Sequence, residues 1–103
     1  MPQVFPNKLP AEEIILTFNF APGLPTGITL TGTPAVTVTV ASGTDPDPSA
    51  LLNGSAGFDS TSTLVLQPIT GGLNGVSYLF DVQVATTYSD IKLELQGILP
   101  VSY

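Results

Sequence analysis

Apolar residues return at every second position along most of this chain, the spacing of strands with one buried face. No stretch carries the three-to-four spacing of a helix face. In residues 12–20, Ile14, Leu16, Phe18 and Phe20 share one side, against Glu13, Thr17 and Asn19 on the other. After the turn residues of 22–27, a short strand is expected at 28–31. Residues 35–40 then alternate Val36, Val38 and Val40 with Thr37 and Thr39. Residues 63–69 read as a strand with Leu64 and Leu66 on one face. Pro68 marks its frayed or edge-lying end, because proline cannot donate to a ladder. The clearest alternation is Tyr78, Phe80, Val82 and Val84, opened by the turn Asn74-Gly75. A closing hairpin sets Ile91, Leu93 and Leu95 against Lys92, Glu94 and Gln96; Gly97 is expected to mark a bulge, with 98–101 running on as an edge segment. Residues 50–54 fit either a short helical turn or a small edge strand.

Short strands separated by Gly and Pro turns predict an all-β antiparallel β-sandwich. Tyr78 narrows that expectation. A tyrosine at the head of the penultimate strand can tie it to the neighbouring corner through its hydroxyl, a feature of immunoglobulin-like sandwiches of about seven strands. Residues 12–103 are expected to form this domain. Residues 1–11 precede it as an extended arm, because Pro2, Pro6 and Pro10 fix φ and withhold amide donors. Val4, Phe5 and Leu9 are apolar groups on that arm with two possible destinations: the edge of their own sandwich, or a neighbouring subunit.

Composition narrows function more than fold. Of 103 residues, 43 % are hydrophobic, enough for one core, while only 10 % are charged, well below the usual level of about 25 %. Thr, Ser, Gly, Asn and Gln therefore supply much of the polar surface, which is cheaper to desolvate than a charged one and suits packing against other molecules. Lys8 and Lys92 are the only cations and the net charge is −6. Nucleic acid and anionic membrane surfaces are not expected partners, since both require clustered cations. There is no cysteine and no histidine, which removes thiolate zinc sites, thiol nucleophiles and the usual general base. The opening residues carry no basic segment leading into an apolar core, so no signal peptide is expected and the chain is expected to be made in the cytoplasm.

The remaining chemistry is carboxylate chemistry. Asp45 with Asp47, or Asp59 with Asp90, is a formal acid–base pair, but loop carboxylates are solvated by default, and no enzyme is expected. Asp45, Asp47 and Asp59 are the candidates for a calcium site at one end of the sandwich, since hard cations take carboxylate oxygens. Tyr88 and Tyr103 are the candidate exposed rings for carbohydrate, and two rings do not make a platform. No cofactor or metal is expected.

Several segments resemble the small immunoglobulin-like virion proteins of tailed bacteriophages. They are Leu9-Pro10 leading into Leu16-Thr17-Phe18-Asn19-Phe20, Gly43-Thr44-Asp45-Pro46-Asp47-Pro48-Ser49-Ala50-Leu51-Leu52-Asn53-Gly54, and Leu66-Gln67-Pro68-Ile69-Thr70-Gly71-Gly72. The last is Gly75-Val76-Ser77-Tyr78 running to Leu95-Gln96-Gly97-Ile98-Leu99-Pro100-Val101. These are turn and core segments, so they speak to fold more than to place. The resemblance implies a non-enzymatic structural subunit of the virion that decorates or cements the capsid. The alternative within the particle is a head–tail connector, neck or fibre-associated role. Its partners would be the major capsid protein, other virion proteins or further copies of itself. The contacts would come from Val4, Phe5 and Leu9 of the arm and Leu99 and Val101 of the terminal edge segment. An adhesion module binding carbohydrate or calcium is the reading from a different class.

Overall fold

The computed structural model describes residues 3–103; Met1 and Pro2, the first of the arm prolines, lie outside them. Seven strands form two sheets: β1 (Gln3–Val4), β2 (Glu13–Asn19), β3 (Leu30–Ser42), β4 (Gly57–Phe58), β5 (Leu64–Thr70), β6 (Val76–Thr86) and β7 (Lys92–Val101). The four-stranded sheet has the order β1-β7-β6-β3 and the three-stranded sheet the order β2-β5-β4. This is the strand order of an immunoglobulin-like sandwich whose first strand lies against its last. Two 3-10 turns, Ala21–Gly23 and Pro48–Leu51, complete the regular structure. The second settles residues 50–54: a helical turn through Leu51, then a single bridge from Leu52 to Ile69.

The inner faces are those the alternation selects. Leu16, Phe18 and Phe20 are buried from one sheet, with Val38, Tyr78, Phe80, Val82 and Val84 from the other. Residues 28–31 and 35–40 are not separate strands. They are one strand, β3, with a register shift between Thr31 and Ala35, where Gly32 takes φ +76°. Val36 and Val40 are only half-buried because β3 is the edge of its sheet.

Four expectations are corrected by neighbours distant in sequence. In β5 the buried face is Val65, Gln67 and Ile69, while Leu64 and Leu66 are half-buried on the outer face. Pairing decides this: Val65 lies opposite Phe18, Gln67 opposite Leu16 and Ile69 opposite Ile14, so the register of β2 dictates which side faces inward. Gln67 is accepted there because its Nε2 donates to the carbonyls of Gly54 (3.1 Å) and Pro68 (2.7 Å). Pro68 lies inside the strand. Its carbonyl accepts from the amide of Asn53 (3.0 Å), so the position of its missing N–H faces the irregular 52–54 segment rather than the β2 ladder.

Gly97 makes no bulge. The β6–β7 register runs unbroken through Phe80↔Gly97, and the glycine serves a different need. A Cβ there would collide with the ring of Phe5 and crowd that of Phe18. Segment 98–101 is likewise no edge: β1 pairs with β7 in parallel, Gln3 with Gly97 and Val4 with Ile98. The arm is thus the outermost strand of the four-stranded sheet. Phe5 is buried edge-to-face on Phe18, with centroids 5.3 Å apart at 82°.

Candidate functional site

One end of the sandwich gathers the turn after the arm, the corner at 70–75, the loop after β3 and the C-terminal residues. The arm reaches it by continuing along β7: the amide of Phe5 donates to the carbonyl of Ile98 (2.9 Å) and that of Lys8 to Pro100 (2.9 Å), while Ser102 donates back to Lys8 (3.1 Å). Asn7 Nδ2 donates to the backbone carbonyl of Ser102 and the Ser102 hydroxyl donates to Asn7 Oδ1, both at 2.9 Å. The Lys8 side chain then turns inward. It is fully buried, and its Nζ donates to the carbonyls of Gly71 (2.5 Å), Leu9 (2.9 Å) and Pro10 (3.3 Å). Burial pulls its pKa below the ordinary value, opposed by the nearby charges of Glu12 and Glu13. The ammonium therefore pins the arm turn to the corner.

Tyr78 pins the same corner from β6. Its hydroxyl accepts from the amide of Leu73 (2.9 Å) and donates to Oδ2 of Asp45 (2.6 Å). Burial, then the bond to Asp45, holds its phenol above the ordinary value. The corner tie expected of this tyrosine is present, and Asp45 is its second partner. Asp45 also accepts from the amide of Asp47 (2.9 Å), and Asp47 accepts from the hydroxyl of Ser49 (2.8 Å). Tyr78→Phe leaves the Leu73 amide and the Asp45 carboxylate without their buried partner. The expected loss is about 2 kcal/mol in urea unfolding, and a loss below about 0.5 kcal/mol would show that the corner holds without the tie.

Asp59 does not join Asp45 and Asp47. It sits at the opposite end, where its carboxylate accepts from the hydroxyl of Thr61 and from the amides of Leu64 (2.9 Å) and Thr63 (3.0 Å). Those bonds, led by Thr61, hold its pKa down to about 2. Its oxygens are committed to closing the loop before β5. Among the described residues no three acidic side chains converge on one point. Of the tyrosines weighed for carbohydrate, Tyr88 is exposed in the turn between β6 and β7, while Tyr103 is exposed at the laced end.

The expected contact residues divide. Phe5, Leu99 and Val101 are core residues of their own sandwich, at 7 %, 0 % and 1 % exposure, because the arm and β7 close on each other. They have no surface to offer a partner. Val4 and Leu9 remain exposed, Val4 on the outer face beside Ile98 and Leu9 at the laced end. No family model, curated protein or solved structure matches the chain. Sequence reasoning passed over Leu73, exposed in the corner that Lys8 and Tyr78 hold. The signal was there: a single large apolar residue inside Gly-Gly-Leu-Asn-Gly has no strand to bury it. The amide of Tyr103 donates to Oδ1 of Asn74 (3.1 Å), so Leu9, Leu73 and Tyr103 are presented from three segments tied to one another.

Proposed function

We propose that this protein is a non-enzymatic structural subunit of a tailed-phage virion, and that it decorates or cements the capsid through protein–protein contacts. The observation that carries the reading is the laced end. Three exposed apolar side chains, Leu9, Leu73 and Tyr103, stand on segments that hydrogen bonds and a buried ammonium hold rigid. A rigid apolar tip loses little conformational freedom on docking, which suits a subunit seated repeatedly on a symmetric shell. The resemblance of the turn and core segments to small immunoglobulin-like virion proteins supports the same reading. The low charge of the surface and the sandwich architecture are compatible with it.

Quantitative mass spectrometry of purified particles tests it. A copy number comparable with that of the major capsid protein is the expected result. A number far below it moves the protein to the neck or tail, and complete absence overturns the virion reading. In the same particles, Leu73→Glu is expected to reduce incorporation without changing the melting temperature of the isolated protein, since Leu73 is exposed in a loop.

A further inference from the structure

β7 is covered on its outer edge over only part of its length. Among the described residues, the arm pairs with it from Gly97 onward. The arm bonds to the carbonyls of Ile98 and Pro100, so even-numbered residues of β7 aim their amides and carbonyls at this edge. Lys92 and Glu94 therefore present backbone donors and acceptors with no described strand beside them. Beneath this open stretch lies a groove of about 200 Å³ lined by Phe20, Pro22, Gly23, Leu93 and Leu95, with Glu94 at its rim. Leu93 and Leu95 line it only half-buried, and Ile91, next on the same face of the strand, is also half-buried.

The open stretch is self-complementary. Laid antiparallel on a copy of itself with Leu93 on the two-fold axis, Ile91-Lys92-Leu93-Glu94-Leu95 places Lys92 opposite Glu94, and Glu94 opposite Lys92. Those are the residues whose backbone groups face outward, so the same register makes both the ladder bonds and the charge pairs. On the inner face it sets Leu93 against Leu93 and Ile91 against Leu95, over the two grooves. The ladder also ends where it must: Gly97 would meet Ser89, in the turn before β7, so the copy's chain leaves the edge where the arm begins.

Charge selects this occupant over others. A copy carrying net charge −6 repels its twin over most of its surface. Among the described residues Lys92 is the only exposed cationic side chain, since Lys8 is fully buried, and it stands two residues from Glu94. On its own sheet Glu94 is held above its ordinary pKa chiefly by the carboxyl of Asp81, and the charge of Lys92, two residues along the strand, offsets this only in small part. Asp81 on β6 crowds it and Gln83 reaches it at 3.3 Å, while Oδ1 of Asp81 is buried without a hydrogen-bond partner among the described residues. A lysine arriving from the facing strand meets two crowded carboxyls whose mutual repulsion Lys92 of the same strand offsets only in small part.

We propose that two copies of this chain associate through the open edge of β7 at residues 91–95, joining their four-stranded sheets across a two-fold axis at Leu93. The interface is short, so the dimer is weak and depends on concentration. It is independent of the virion reading: particle copy number tests that one, and association in solution tests this one.

Sedimentation velocity over a concentration series is the experiment, on the wild type, Lys92→Glu, Glu94→Lys and an equimolar mixture of the two variants. Both positions are exposed, and matching circular dichroism melts confirm that each variant folds. The wild type is expected to dimerise, with an affinity that falls as salt is raised. Each variant alone faces its twin with like charges at both pairs and is expected to be weakened by about tenfold or more. The mixture places carboxylates opposite ammoniums at both pairs and is expected to regain wild-type association as a heterodimer. A wild type that stays monomeric at roughly millimolar concentration overturns the proposal. So does equal association of the single variants, or a mixture that associates no better than its components.

Discussion

Phe5→Ala is expected to cost about 3–5 kcal/mol, the range for emptying a buried aromatic site. The ring is one of the few large side chains the arm contributes, and its position leaves no room for partial loss. It stands edge-to-face on Phe18, directly over the backbone of Gly97, where it is the nearest side chain. Removing it leaves a cavity bounded by a strand ladder that cannot collapse, and it leaves β1 held to β7 by the short parallel pairing and the backbone bonds that continue it to Pro100. Equilibrium unfolding in urea measures the effect. A loss below about 0.5 kcal/mol would mean that the Phe5 ring is dispensable to its own sandwich. Gly97→Ala probes the same contact from the other side, and its destabilisation should largely vanish when combined with Phe5→Ala, because the two changes share one space. It follows that removing residues 1–11 perturbs the core and is no test of docking.

Lys8→Met is expected to cost about 2–4 kcal/mol. Replacing a buried charge by an apolar side chain of similar length is often neutral, because the desolvation penalty of the charge disappears with it. That argument holds when both partners are replaced. Here the partners are the backbone carbonyls of Gly71, Leu9 and Pro10, which stay behind without donors. The variant therefore loses hydrogen bonds and leaves acceptors unsatisfied. Stability unchanged or raised would show that desolvation of the ammonium outweighs its bonds. The pH dependence supplies a second signature. Folding lowers the Lys8 pKa from 10.5, so the folded state binds fewer protons than the unfolded state as pH rises toward that value. The burial penalty is full below the lowered folded pKa and is relieved between it and 10.5. Wild-type stability is therefore expected to rise with pH between the lowered folded pKa and 10.5, while Lys8→Met shows no such rise, so the measured cost of the substitution grows with pH through that window.

Where a feature depends on residues close in sequence, it is legible without coordinates. The row Tyr78, Phe80, Val82 and Val84 is buried as its alternation requires, and the Tyr78 hydroxyl reaches the corner at Leu73, five residues away. The strand at 12–20 and the hairpin at 91–96 follow from the same period of two, and Gly and Pro punctuation marks the turns between them. These features rest on backbone sterics and on side chains pointing to alternate faces, which each segment carries by itself.

What the chain could not disclose by local pattern is who lies opposite whom. Leu64 and Leu66 are as apolar as Val65 and Ile69, and only pairing with β2 decides that the second set faces inward. Gly97 looks like a bulge until the Phe5 ring arrives over it from the far end of the chain. Lys8 looks like a surface charge until three carbonyls converge on it, one of them 63 residues away. Leu99 and Val101 look like an edge until the arm covers them. Alternation along one strand settles that a segment has two faces and which residues share each. Burial is a property of the space between strands, and tertiary structure alone assigns it, because the partner that excludes water from a face is fixed by long-range register.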